Sequence, residues 1–89
     1  MAKKKHTATG KDGKVVKRTT ASGRLYTHAV IVYFNAWTGA DGTEHPAYTK
    51  TEWAGNLRNA QLGEKRWLRV KHSHPTRVLD VEIVEATHD

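Results

Sequence analysis

The longest run of β-forming residues, Leu25-Tyr26-Thr27-His28-Ala29-Val30-Ile31-Val32-Tyr33-Phe34, contains no Gly, Pro or acidic group. Alternation puts Tyr26, His28, Val30, Val32 and Phe34 on one face and Leu25, Thr27, Ala29, Ile31 and Tyr33 on the other. Both faces are largely apolar, which predicts a central strand that needs cover on each side. After a loop marked by Gly39, Asp41-Gly42 and Pro46, a looser alternation from Ala47 to Trp53 predicts a second strand, antiparallel to the first. Near the C-terminus Leu79, Val81 and Ile83 alternate with Asp80 and Glu82, the pattern of a half-buried strand whose acids face water.

Two periodicities compete between Gly55 and His72. A single helix capped by Asn56 gathers Leu57, Ala60, Glu64, Trp67, Leu68 and the stem of Lys71 on one side and Arg58, Leu62, Lys65 and Arg69 on another. Arg58, Lys65, Arg66, Arg69 and Lys71 lie mostly toward its C-terminal end, where cations suit the helix dipole. The rival starts a short helix at a Thr49-x-x-Glu52 capping box, ends it before Gly63 and makes Arg66 to Lys71 a strand turning at His74-Pro75. The long helix is the preferred reading, and the expected fold class is α+β. Its order is β-β-α-β, one helix packed on a small, mostly antiparallel sheet of three or four strands.

Charge changes the picture of the first 24 residues. The 89-residue chain has a formal net charge of +6, yet Lys3, Lys4, Lys5, Lys11, Lys14, Lys17, Arg18 and Arg24 face only Asp12 up to residue 24, a local +7 that leaves −1 beyond it. With Val15 and Val16 as the only branched aliphatics in residues 1–23, the segment promises too little burial to offset about 1–2 kcal/mol of backbone entropy per residue. The expectation is a flexible basic arm, 1–23, before a single domain, 24–89. The competing reading makes Val15-Val16 a short edge strand after an Asp12-Gly13 turn.

Arg24-Leu25-Tyr26-Thr27-His28-Ala29-Val30, Trp53-Ala54-Gly55, Asn59-Ala60 and the closing Val81-Glu82-Ile83-Val84-Glu85 resemble small uncharacterised proteins encoded by actinobacterial phages. The resemblance covers roughly residues 24 to 86 and implies the β-β-α-β order and a host-cytoplasm setting. It implies no activity, and neither the Gly-containing loop nor the Lys-rich segment maps onto it.

Candidate chemistry is sparse. Gly10-Lys11-Asp12-Gly13-Lys14 lacks the spacing, the Ser or Thr and the preceding strand of a phosphate loop, and reads as a solvated turn. The chain has no Cys; its serines are Ser22 and Ser73, and Ser73 between His72 and His74 does not make a positioned nucleophile and base. His72-x-His74 with His45 and His28 is a conceivable zinc set, outweighed by the reading as turn histidines. Asp80 and Glu82 read as solubilising acids, and His28 as a hydrogen-bonded strand residue. Trp53 and Trp67 are assigned to packing, whereas Trp37, in a Gly-rich loop, is a candidate contact for a base or a protein.

The expected function is therefore a non-enzymatic nucleic-acid-binding accessory protein with no metal and no cofactor. Lys3, Lys4, Lys5, Lys11, Lys14, Lys17, Arg18 and Arg24 would meet DNA or RNA phosphates, assisted by Arg58, Lys65 and Arg69. The alternative is a module binding an acidic host or phage protein through Trp37 or a sheet surface. The two-sided apolar strand also raises the expectation of a homodimer. No apolar run approaches a bilayer span or a signal segment, which fits a soluble, cytoplasmic protein without a membrane partner.

Overall fold

A computed structural model describes residues 3–21 and 23–88. The elements are β1 (Lys4–Thr9), β2 (Val15–Thr20), β3 (His28–Phe34), β4 (Trp37–Thr38), β5 (Glu44–His45), β6 (Tyr48–Ala54), α1 (Leu57–Ser73), β7 (Val78–Glu85) and β8 (Thr87–His88). The central sheet has the order β6-β3-β7, a second sheet has the order β2-β1-β8, and β4 and β5 form a small hairpin. All these pairings are antiparallel. The fold is α+β with one helix on antiparallel sheets, and β3 is central in its sheet as its two apolar faces require.

Helix α1 covers one face of that sheet. It begins where the Asn56 side chain accepts a hydrogen bond from the Asn59 backbone N–H at 2.8 Å, and it ends where the His74 N–H reaches the Val70 carbonyl just before Pro75. Val30, Val32, Ala54, Ala60, Val78 and Val81 form the core between helix and sheet, bordered by Phe34, Trp67, Val70 and Ile83. The helix meets the sheet through Ala60 and Gly63, with Trp67 and Val70 beside them, rather than through Leu57 and Leu68, which are exposed. Gly63 lies inside the helix over Val30, whose methyl is 3.6 Å from its ideal Cβ position, and does not terminate the helix.

The last strand departs from simple alternation. A register shift at Tyr33/Phe34 pairs Asp80 with Tyr33 and Val78 with Phe34, so Leu79 is the extra residue of a bulge and is exposed. Val78 takes the core position that alternation assigns to Leu79.

The largest correction concerns residues 1–23, expected as a flexible arm. Residues 4–20 form the β1–β2 hairpin, with Lys4 opposite Thr20 and Thr9 opposite Val15. The Gly10 N–H bonds to the Lys14 carbonyl, Asp12 Oδ1 accepts the Lys14 N–H, and Gly13 supplies the φ of +81° that closes the turn. Entropy is overcome because only a few positions need burial: His6, Ala8, Gly10 and Thr20 are buried while the lysines stay at the surface. The hairpin lies on the second face of the central sheet, where Gly10 approaches the Ile31 methyl and the Tyr33 hydroxyl, and His6 packs near Trp53. β8 joins its other side, pairing His6 with His88 and Thr7 with Thr87. This intramolecular cover occupies the apolar face that raised the expectation of a homodimer.

Candidate nucleic-acid interface

The hairpin register sorts its side chains. Lys5, Thr7 and Thr9 of β1 share a face with Val15, Lys17 and Thr19 of β2 and with Thr87 of β8, because Lys5 pairs with Thr19, Thr7 with Lys17 and Thr9 with Val15. This is the outward face; His6 and Ala8 point the other way into the molecule. Lys5, Thr7, Lys17 and Thr19, together with His6 and Arg18, line a depression of about 260 Å³. Among the described residues this face carries no carboxylate and no aromatic ring. Its chemistry is ammonium groups and hydroxyls on a stiff sheet, suited to oxyanions and unsuited to base stacking.

What holds the hairpin down is polar. The Tyr33 hydroxyl donates to Glu82, and the Lys11 backbone N–H donates to the same carboxylate oxygen at 2.9 Å. The Lys11 ammonium pairs with Asp80 and lies 5.2 Å from the Tyr33 ring centroid. Burial, and then the Glu82 hydrogen bond and charge, push the Tyr33 hydroxyl up to about 12. Asp80 and Glu82 are thus docking groups for the turn, not solvated acids, and Lys11 is committed to them. At the other end the His6 ring, fully buried, accepts the Tyr26 N–H on Nε2 at 3.0 Å and packs edge-on against Tyr26. His6 Nδ1 is buried without a hydrogen-bond partner.

The remaining cations fall into separate groups. Lys3 and Lys14 are exposed beside the outward face, and Lys4 is half-buried. Arg18 and Arg24 lean over the Tyr26 ring at 5.5 and 5.3 Å, along the margin of the hairpin. Arg58, Lys65 and Arg69 are exposed on α1. The helix packs against Val30 and Val32 while the hairpin packs against Ile31 and Tyr33, so stripe and hairpin lie on opposite faces of the sheet. They do not form one continuous track.

Trp37 is not at a loop tip. It pairs with His45 across the β4–β5 hairpin, and the two rings stack at 4.0 Å with an interplanar angle of 7°. Arg77 places its guanidinium 4.3 Å from the indole centroid, while Asn35 ties the base of the hairpin to the Arg77 and Thr76 carbonyls. Trp37 remains 36% exposed. At the tip the Thr43 N–H donates to Asp41, and this bond holds the Asp41 carboxyl below its usual range.

Other candidates dissolve into structure. Gly10-Lys11-Asp12-Gly13-Lys14 is the β1–β2 turn, Ser73 ends α1 between exposed histidines, and Ser22 lies outside the described residues. His28 Nδ1 bonds with the Thr27 hydroxyl at 2.7 Å. Among the described residues no three His, Asp or Glu side chains gather as a metal site would require. No helix is long and apolar enough to cross a membrane.

No family, curated protein or solved structure matches this chain. Sequence reasoning found the lysines but missed the threonines Thr7, Thr19 and Thr87 beside them. The signal was the β-forming alternation in Lys4–Thr9 and Val15–Thr20 around a Gly-rich turn, outweighed by the charge. Arg66, Asn59 and Arg77 were missed as site residues because only tertiary packing shows what they approach.

Proposed function

We propose that this chain is a small non-enzymatic accessory protein, phage-encoded and acting in the host cytoplasm, that binds nucleic acid by its phosphates. The observation that carries the reading is the outward face of the β2-β1-β8 sheet, where Lys5 and Lys17 stand among Thr7, Thr9, Val15, Thr19 and Thr87. Because the turn is anchored on Glu82 and Asp80, the hairpin lies flat and does not project as a ribbon into a groove. A flat face of ammonium and hydroxyl groups tracks a sugar-phosphate backbone and reads little sequence. Lys3, Lys14, Arg18 and Arg24 extend that face at its margins. Arg58, Lys65 and Arg69, on the opposite side, engage a second strand segment or none.

The test is fluorescence anisotropy of labelled duplex DNA, single-stranded DNA and RNA across a salt series. Lys5→Ala with Lys17→Ala should weaken binding alike for every sequence and reduce the magnitude of the log-affinity versus log-salt slope by about 2 on duplex DNA. Unchanged affinity and slope in that double variant would remove the hairpin face from the proposal.

A second reading is favoured by the Trp37 stack. An indole flanked by His45 and Arg77 offers an aromatic edge beside a guanidinium, a better match to an acidic protein surface than to a base seeking an open ring face. Trp37→Ala should then abolish capture of that protein and leave nucleic-acid affinity intact.

A further inference from the structure

A cleft of about 450 Å³ opens between the first half of α1 and the end of β6. Arg24 and Arg66 line it, together with Glu52, Trp53, Asn59 and Leu62. Gly55 and Gly63, which carry no side chains, also line it. Its size falls within the roughly 300–1,000 Å³ of small-ligand sites.

Its charges are arranged around one anchored carboxylate. Glu52 Oε1 accepts the Trp67 indole N–H at 2.8 Å, which fixes it from the core side. The Arg66 guanidinium stands 3.6 Å from the same oxygen. A guanidinium has five N–H donors and one carboxylate engages two at most, so Arg66 is oriented by Glu52 and still has donors to offer. Arg24 enters from the segment after β2, its guanidinium 5.3 Å from the Tyr26 ring, which holds a second planar cation at the same cleft. Asn59 adds an amide, while Leu62 and Trp53 supply apolar wall.

We propose that this cleft binds a nucleoside 5′-monophosphate group, either free or at the end of a strand. The two guanidiniums clamp the phosphate through paired N–H···O bonds, and Leu62 and Trp53 receive the nucleoside. The site shares only Arg24 with the margin of the lysine face and uses neither Lys5 nor Lys17, so it stands even if that face binds nothing.

The experiment is a titration of the full chain, followed by amide NMR and tryptophan fluorescence, with four probes: adenosine 5′-monophosphate, adenosine, inorganic phosphate and a 5′-phosphorylated dinucleotide. Saturable shifts at Gly55, Asn59 and Gly63 with the monophosphate are expected, with adenosine and inorganic phosphate each at least about tenfold weaker. Equal response to the dinucleotide assigns the site to strand ends; its exclusion assigns the site to free nucleotides. Arg24→Gln and Arg66→Gln should each weaken binding about tenfold or more, and Arg66→Lys should restore only part, because one ammonium cannot replace a paired contact. Both arginines are exposed, and unchanged melting of the variants verifies that the fold is intact. Lys5→Glu with Lys17→Glu should leave monophosphate binding in place. No saturable shift at millimolar monophosphate overturns the proposal. So does binding of inorganic phosphate as tightly, or an equal loss in the lysine variants, which would reveal only a diffuse positive field.

Discussion

The two faces of strand β3 are covered by different means. Val30 and Val32 meet α1 through Ala60 and Gly63 in an almost wholly apolar contact. Ile31 and Tyr33, one residue out of phase, meet a hairpin cut from the most cationic part of the chain, fastened by His6 to Tyr26 and by Glu82 and Asp80 to the turn. The first contact rests mainly on shape and hydrophobicity, with the Trp67 indole hydrogen bond to Glu52 at its border, whereas the second combines a few buried small or aromatic groups with hydrogen bonds satisfied at the margin. A strongly basic segment can therefore be structural on its inner side and remain a polyanion surface on its outer side, because strand alternation separates the two tasks.

Removing the hairpin would break the comparison most severely. A chain beginning at Gly23 exposes Ala29, Ile31 and Tyr33, and it should lose cooperative thermal unfolding or self-associate in sedimentation. A truncated chain that stays monomeric and melts like the whole would show that the hairpin is not a cover. For the same reason, nucleic-acid binding is better probed by lysine substitutions than by truncation.

Paired truncations of single side chains come next. Ile31→Ala, under the hairpin at 2% exposure, should cost about 3 kcal/mol. Val32→Ala, under the helix at 0%, should cost about 2 kcal/mol by removing fewer methyl groups. Urea denaturation measures both. If Ile31→Ala costs nothing, the hairpin face is not packed in solution.

Two glycines sharpen the contrast further. An ideal Cβ on Gly10 would stand 2.5 Å from the Tyr33 hydroxyl and 3.2 Å from the Ile31 methyl, so Gly10→Ala should destabilise by about 1–3 kcal/mol. On Gly63 the nearest atoms are at 3.6 Å, an ordinary contact, and Gly63→Ala should stabilise by about 0.5–1 kcal/mol through helix propensity. Opposite shifts in melting temperature are the expected result.

The last effect is confined to alkaline solution. The Tyr33 hydroxyl, raised from 10.0 to about 12 in the folded chain, contributes stability that is complete below pH 10 and is lost as pH rises through 12. The urea midpoint of the native chain should fall more than that of Tyr33→Phe between pH about 9 and about 11.5. Parallel curves would mean that Tyr33 does not hold Glu82 in solution.

Much of the helix-covered half was legible. Two-sided apolarity gave β3 its central place, the Asn56 cap gave the start of α1, and alternation gave β6 and most of β7. The misplaced side chains have local causes: the Leu79 bulge depends on pairing with Tyr33 and Phe34, and Gly63 looks like a terminator until Val30 is seen beneath it. Of the candidate interface, the lysines were legible as charge, but their grouping was not. Lys11 pairs with Asp80 at the surface, Arg58, Lys65 and Arg69 came to lie on the opposite face, and Trp37 acquired His45 and Arg77 as neighbours.

The sequence by itself determined where the strongest strand and the helix form and where positive charge accumulates, because those follow from propensity, period and composition along neighbouring residues. Only the tertiary structure decided that the basic segment folds. Its buried positions are worth little to an isolated hairpin, and they become stabilising only when Ile31, Tyr33, Tyr26 and Glu82, distant in the chain, present the surface that they fit.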